Sequence, residues 1–136
     1  MTAVIGTEGR GVMTIEIAGA ASAAAAGLGA IANPEGVNIL VLRATLVVLA
    51  PSTGAANLSA GIAATAALAD TDILNALAVN GVAANTCYNG HAMQNTGQTA
   101  ITVPTLWAPS AYLTFTGSAT TVGLVAKLFL EYIRVN

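Results

Sequence analysis

Three stretches of the chain alternate between apolar and polar positions with a period of two, the spacing of a strand that buries one face. In residues 12–17, Val12, Thr14 and Glu16 fall on one side and Met13, Ile15 and Ile17 on the other. Residues 37–50 put Leu40, Leu42, Leu46 and Val48 on one face, and Ile39, Val41, Arg43, Thr45 and Val47 on a more mixed one. Residues 122–135 alternate most sharply: Leu124, Ala126, Leu128, Leu130 and Tyr132 share a face, with Lys127 and Glu131 opposite. Lys127 and Glu131 would also be neighbours at helical spacing. The β-rich ending Phe129, Tyr132, Ile133 and Val135 favours a strand.

Shorter strands are predicted over 57–64, 99–103 and 112–116. Residues 18–26 are alanine-rich but lack large apolar side chains, and read as a loop or small-residue strand leading into 27–32. Asn33-Pro34-Glu35-Gly36 is a turn, with proline fixing φ at its second position, and Asn80-Gly81, Asn89-Gly90 and Gly117-Ser118 mark others. Pro104 and Pro109 bracket Trp107, which places that segment at a strand end or sheet edge. Residues 70–77 read as a short helix, capped by Asp70 or Asp72, with Ile73, Leu74 and Leu77 facing inward.

About seven strands joined by polar turns imply two sheets packed face to face. The expected fold is all-β: an antiparallel β-sandwich of jelly-roll type with one short helix and an extended N-terminal arm. Residues 1–11 form the expected flexible arm and 12–136 the single domain. Arg43 and Glu131 lie on the mixed faces of the two longest strands, which are expected to pair and bring these charges together.

Charge alters the picture more than length does. Apolar residues make up 55% of the chain, and charged residues only 7% of its 136 positions, against about a quarter in an ordinary soluble domain. Such a chain is expected to bury much of its surface against copies of itself or a larger body. With a formal charge of −2 and its cations Arg10, Arg43, Lys127 and Arg134 scattered, it has no basic field for nucleic acid. The uncharged run 17–32 would span about 24 Å as a helix, short of the roughly 30 Å hydrocarbon core, so no membrane partner is expected. The N-terminal residues have no basic and apolar signal pattern, and use without export follows.

Catalytic material is sparse. His91 is the one histidine and Cys87 the one cysteine; four residues apart, they supply too few ligands for a structural zinc site. A nucleophilic pair would need a cleft, an oxyanion site and an orienting group besides. Asp70 and Asp72 suit capping better than acid–base work. Gly6, Gly9 and Gly11 lack the strand–loop–helix setting of a phosphate site. Trp107, Tyr112, Phe115, Phe129 and Tyr132 are scattered, as core and interface packing requires. No catalytic residue, cofactor or metal site is assigned.

The order Asn33-Pro34-Glu35-Gly36, Arg43-Ala44, Ser52-Thr53-Gly54-Ala55-Ala56, Gly61-Ile62-Ala63 and Asp72-Ile73-Leu74-Asn75-Ala76-Leu77 begins a longer pattern. It continues with Ala111-Tyr112-Leu113-Thr114, Gly123-Leu124-Val125 and Glu131-Tyr132-Ile133, and together resembles the head decoration (capsid cement) proteins of tailed bacteriophages. The resemblance implies a virion protein on the outer capsid surface, made in the host cytoplasm, with the major capsid protein and copies of itself, as a trimer, for partners. Thr7, Glu8, Gly9, Arg10 and Gly11 of the arm are the expected partner-binding residues. A receptor- or carbohydrate-binding tip of a phage fibre is the alternative, and a membrane or filament coat subunit a third reading.

Overall fold

The computed structural model describes residues 9–21, 27–95, 97–98 and 101–135. Their strands are β1 (Arg10–Ala18), β2 (Gly29–Ala32), β3 (Asn38–Ala50), β4 (Asn57–Ala63), β5 (Leu74–Ala78), β6 (Thr86–Asn89), β7 (Thr105–Trp107), β8 (Tyr112–Gly117) and β9 (Val125–Val135). One sheet runs β1-β9-β3-β6, with β7 also on β3; the other runs β2-β8-β4-β5, and all strand pairings are antiparallel. The chain crosses between sheets from β1 to β2, β2 to β3 and β3 to β4, returns from β5 to β6, and crosses again from β7 to β8 and from β8 to β9. This is the jelly-roll order, with both sheets closing on one core.

The alternation foreseen for β9 holds: Leu124, Ala126, Leu128 and Leu130 are buried, while Lys127 and Glu131 point outward. In β3 the expected faces hold only from Arg43 onward. A register shift between Val41 and Arg43 switches the phase, so Ile39 and Val41 are buried, as are Ala44, Leu46 and Val48 beyond it. Leu40 and Leu42 are left half-buried. The shift is a β-bulge, which lets one strand serve the core on both sides of a bend.

Two expected elements are corrected. Residues 70–77 are not a helix: the segment 64–72 crosses the outer face of β4, and β5 then pairs with β4. A second irregularity, with Ala76 at φ 52°, lets Ile73, Leu74 and Leu77 all turn inward. That spacing of one and three imitates a helix face. A single 3-10 turn, Gly90–Met93, is the helical element among the described residues. Of the strand expected over 99–103, residues 99 and 100 lie outside the described residues and 101–103 form no strand; β7 starts only after Pro104, which has no N–H to give to the ladder. Residues 101–103 are irregular, and Thr102 N donates to Asp72 O at 2.9 Å.

The expected flexible arm is also corrected at its inner end. Gly9, Arg10 and Gly11 are held against β9: Arg10 opposes Ile133, Gly11 opposes Tyr132, and Gly9 O accepts from Arg134 N at 2.9 Å. A Cβ at Gly11 would lie 2.5 Å from Tyr132 Cζ, so only glycine lets the ring cross there. Residues 1–8, among them Thr7 and Glu8, lie outside the described residues.

Candidate interaction surface

The outer face of β1, β9 and β3 carries five of the six charged strand residues: Arg10 and Glu16 on β1, Arg43 on β3, and Lys127 and Glu131 on β9; the sixth, Arg134, shares the Tyr132 face of β9 at its end. Cross-strand register sorts the outward side chains into rows. Arg10, Ile133 and Leu40 form one, and Val12, Glu131 and Arg43 the next. Thr14, Phe129 and Thr45 follow, then Glu16, Lys127 and Val47. The expected Arg43–Glu131 pair forms, with Nε 3.5 Å from Oε2, and Lys127 Nζ lies 3.2 Å from Glu16 Oε1. Both pairs are exposed, so each contributes about 0–1 kcal/mol. Their larger effect is to keep an uncovered sheet hydrated.

The bulge at Leu42 bends β3 away and opens a shallow concavity of about 560 Å³ beside it, lined by Arg10, Gly11, Val12, Leu42, Arg43, Glu131 and Tyr132. Two guanidinium groups face one carboxylate there, a local excess of one positive charge on a chain of net charge −2. Val12 is 65% exposed at its edge. Arg10 makes no ion pair among the described residues. Chemically the concavity offers hydrogen-bond donors to an anionic group beside an apolar ledge.

At the open end of the sandwich the turn after β2 folds over β9. Tyr132 Oη donates to Glu35 Oε1 at 2.5 Å, and Arg134 Nη1 lies 3.4 Å from Glu35 Oε2. The hydrogen bond to Glu35, with lesser contributions from burial and the Glu35 charge, raises the Tyr132 pKa above its ordinary value; Arg134 opposes this. Asn33 fixes the turn, its Nδ2 donating to Val37 O and Trp107 O, both at 2.9 Å, while its Oδ1 accepts from Glu35 N.

The other sheet differs in kind. Strands β2, β4, β5 and β8 carry no charged residue, and their outward positions include Ala30, Ala32, Tyr112, Thr116, Asn57 and Ser59. Asp70 and Asp72 lie in the segment crossing this face. The Asp70 carboxylate accepts from Thr71 N at 2.6 Å and Asp72 N at 3.3 Å, and Asp72 Oδ1 accepts from Thr102 Oγ1 at 2.9 Å. They therefore shape a loop instead of capping a helix.

Of the residues singled out in the sequence, Gly9, Arg10 and Gly11 reach this surface, and Arg43 and Glu131 meet on it. Trp107 and Phe115 are core residues, while Tyr112, Phe129 and Tyr132 are half-buried in separate places. Cys87 is exposed on β6, its Sγ 3.7 Å from Asn85 O. Among the described residues no three His, Cys, Asp or Glu side chains converge on one point, and no helix is long and apolar enough to cross a membrane. The Glu35–Tyr132–Arg134 cluster and the Leu42 bulge were not foreseen. No protein-family model matches the chain, and neither a curated protein nor a solved structure matches it.

Proposed function

We propose that the chain is a non-enzymatic structural virion protein, a decoration or cement protein that binds the outer surface of a tailed-phage head and stabilises it. The observation that carries this reading is the division of charge between the two sheets. One outer face holds five of the six charged strand residues as a wet, ion-paired surface, the sixth, Arg134, pairs with Glu35 at the open end, and the strands of the other sheet hold none. Outside the crossing segment with Asp70 and Asp72, that face of small side chains can be covered by protein without desolvating ions, the costly step in burying a surface. Resemblance to capsid cement proteins supports the major capsid protein and further copies, as a trimer, as what covers it. Repetition over a lattice multiplies weak contacts, so a small domain suffices.

Cosedimentation with expanded heads assembled from the major capsid protein of the same virus tests this. Saturable binding and heads that resist heat better are expected; a chain left entirely in the supernatant overturns the reading. The concavity at Arg10 and Arg43 favours the second reading, a binding tip. Capture on an array of acidic glycans, without head binding, would select that one.

A further inference from the structure

We propose that two copies of this chain join edge to edge through β1, in a two-fold antiparallel pairing centred on Met13 that continues the charged sheet across both molecules. Among the described residues β1 is the longest unpaired edge, nine residues, with a single neighbour, β9. The competing edges are poorer. β2 and β6 have four residues each, β7 three, and β5 is bulged and bridged by Gln94 at Asn75.

Hydrogen bonding fixes which groups on β1 are free. Gly9 O accepts from Arg134 N and Gly19 N donates to Leu124 O, and these bonds flank the unbroken β1–β9 register. Odd-numbered residues of β1 thus bond to β9. In an antiparallel ladder the alternate residues then turn their N–H and C=O groups the other way. Arg10, Val12, Thr14, Glu16 and Ala18 present them to the open edge, and all five are exposed.

Register follows from pattern and charge. A partner strand must match inward with inward positions, which forbids any slip by one residue. Of the registers that remain, the one centred on Met13 sets Arg10 opposite Glu16 of the second copy, and Glu16 opposite its Arg10. Val12 and Thr14 pair between them. A centre at Arg10 or Glu16 would oppose like charges, which destabilises a sheet. The Met13 register forms about eight main-chain hydrogen bonds. It also gives Arg10 a partner, and extends the Lys127–Glu16 pair by one cation. The pairing is a solution property of the chain and does not depend on the capsid reading.

Sedimentation velocity on the purified chain, without heads, tests it. A dimer is expected at micromolar concentrations off the head; the trimer of the capsid reading is a separate contact, made through the other sheet. Arg10→Glu and Glu16→Arg, both at exposed positions, should each raise the dissociation constant at least about tenfold, because each sets like charges opposite. An equimolar mixture of the two variants restores both opposite-sign pairs and should form a one-to-one heterodimer with near-original affinity. Val12→Pro removes an edge N–H but none bonded to β9, and should be monomeric by sedimentation while circular dichroism shows it folded. A native chain that is monomeric at 100-fold higher concentration overturns the proposal. So does an oligomer whose mass neither charge variant changes, or a mixture that associates no better than its components.

Discussion

Glu35 shows how one side chain can fasten an end of the sandwich. Its carboxylate receives Tyr132 Oη and faces Arg134, and those two side chains lie across Gly11 and Gly9 at the start of β1. None of this was legible in the sequence. Glu35 and Tyr132 are 97 positions apart, and tyrosine and arginine ending a strand carry no mark of a shared acceptor. Tyr132→Phe should cost about 1 kcal/mol near neutral pH, a hydrogen bond to a charged group discounted for its partial exposure. Because the Tyr132 pKa is raised on folding, this contribution is fully present below the unfolded value, about 10. It is lost as pH rises through the higher folded value. Urea titrations should therefore show wild type and Tyr132→Phe converging above about pH 10. A constant gap across that range would detach the stability from the Glu35 bond.

Elements with unbroken alternation were readable, and those with bulges were not. β1, β8 and β9 fall close to where the apolar rhythm put them, since one face meets the core throughout. β3 was found but its first half was assigned to the wrong faces, because a single extra residue at Leu42 inverts the phase without altering composition. β5 was lost for the same reason, its irregularity compressing the inward set into helical spacing. The pairing of Arg43 with Glu131 survived since both lie beyond the bulge, in register. What covers β4 also lies below the resolution of pattern. A Cβ on Gly61 would sit 2.6 Å from backbone atoms of Asp70, Thr71 and Asp72, so the crossing segment rests directly on the strand. Gly61→Ala must push that backbone away, at a cost of about 1–3 kcal/mol. Chemical denaturation read by the fluorescence of Trp107, the one tryptophan and fully buried, would measure it. A neutral substitution would mean the loop is not seated on β4.

At the scale of the whole molecule the scarcity of charge acquires a location. Ten Asp, Glu, Lys and Arg residues are too few to stabilise a fold by ion pairing, and the three pairs among the described residues are at least partly exposed. Stability must come from the two apolar inner faces, where Leu128 is fully buried. The charges on β1, β3 and β9 then have another task, since an uncovered sheet without them would present Val12, Leu40, Phe129 and Val47 as a continuous sticky face. The two roles separate experimentally. Replacing Arg43 and Glu131 together by threonine removes a pair in place and keeps strand propensity, so the unfolding free energy should change by less than about 1 kcal/mol. Light scattering should nevertheless show higher-order association at concentrations where the parent is clear. Leu128→Ala should do the reverse, losing about 2–5 kcal/mol from the cavity it leaves while solubility of the folded form stays unchanged. If the threonine pair proved as destabilising as the cavity, the charged face would be part of what holds the fold together. If it altered neither stability nor association, hydration of the open sheet would not depend on these ions, and the division of charge between the sheets would lose its physical meaning.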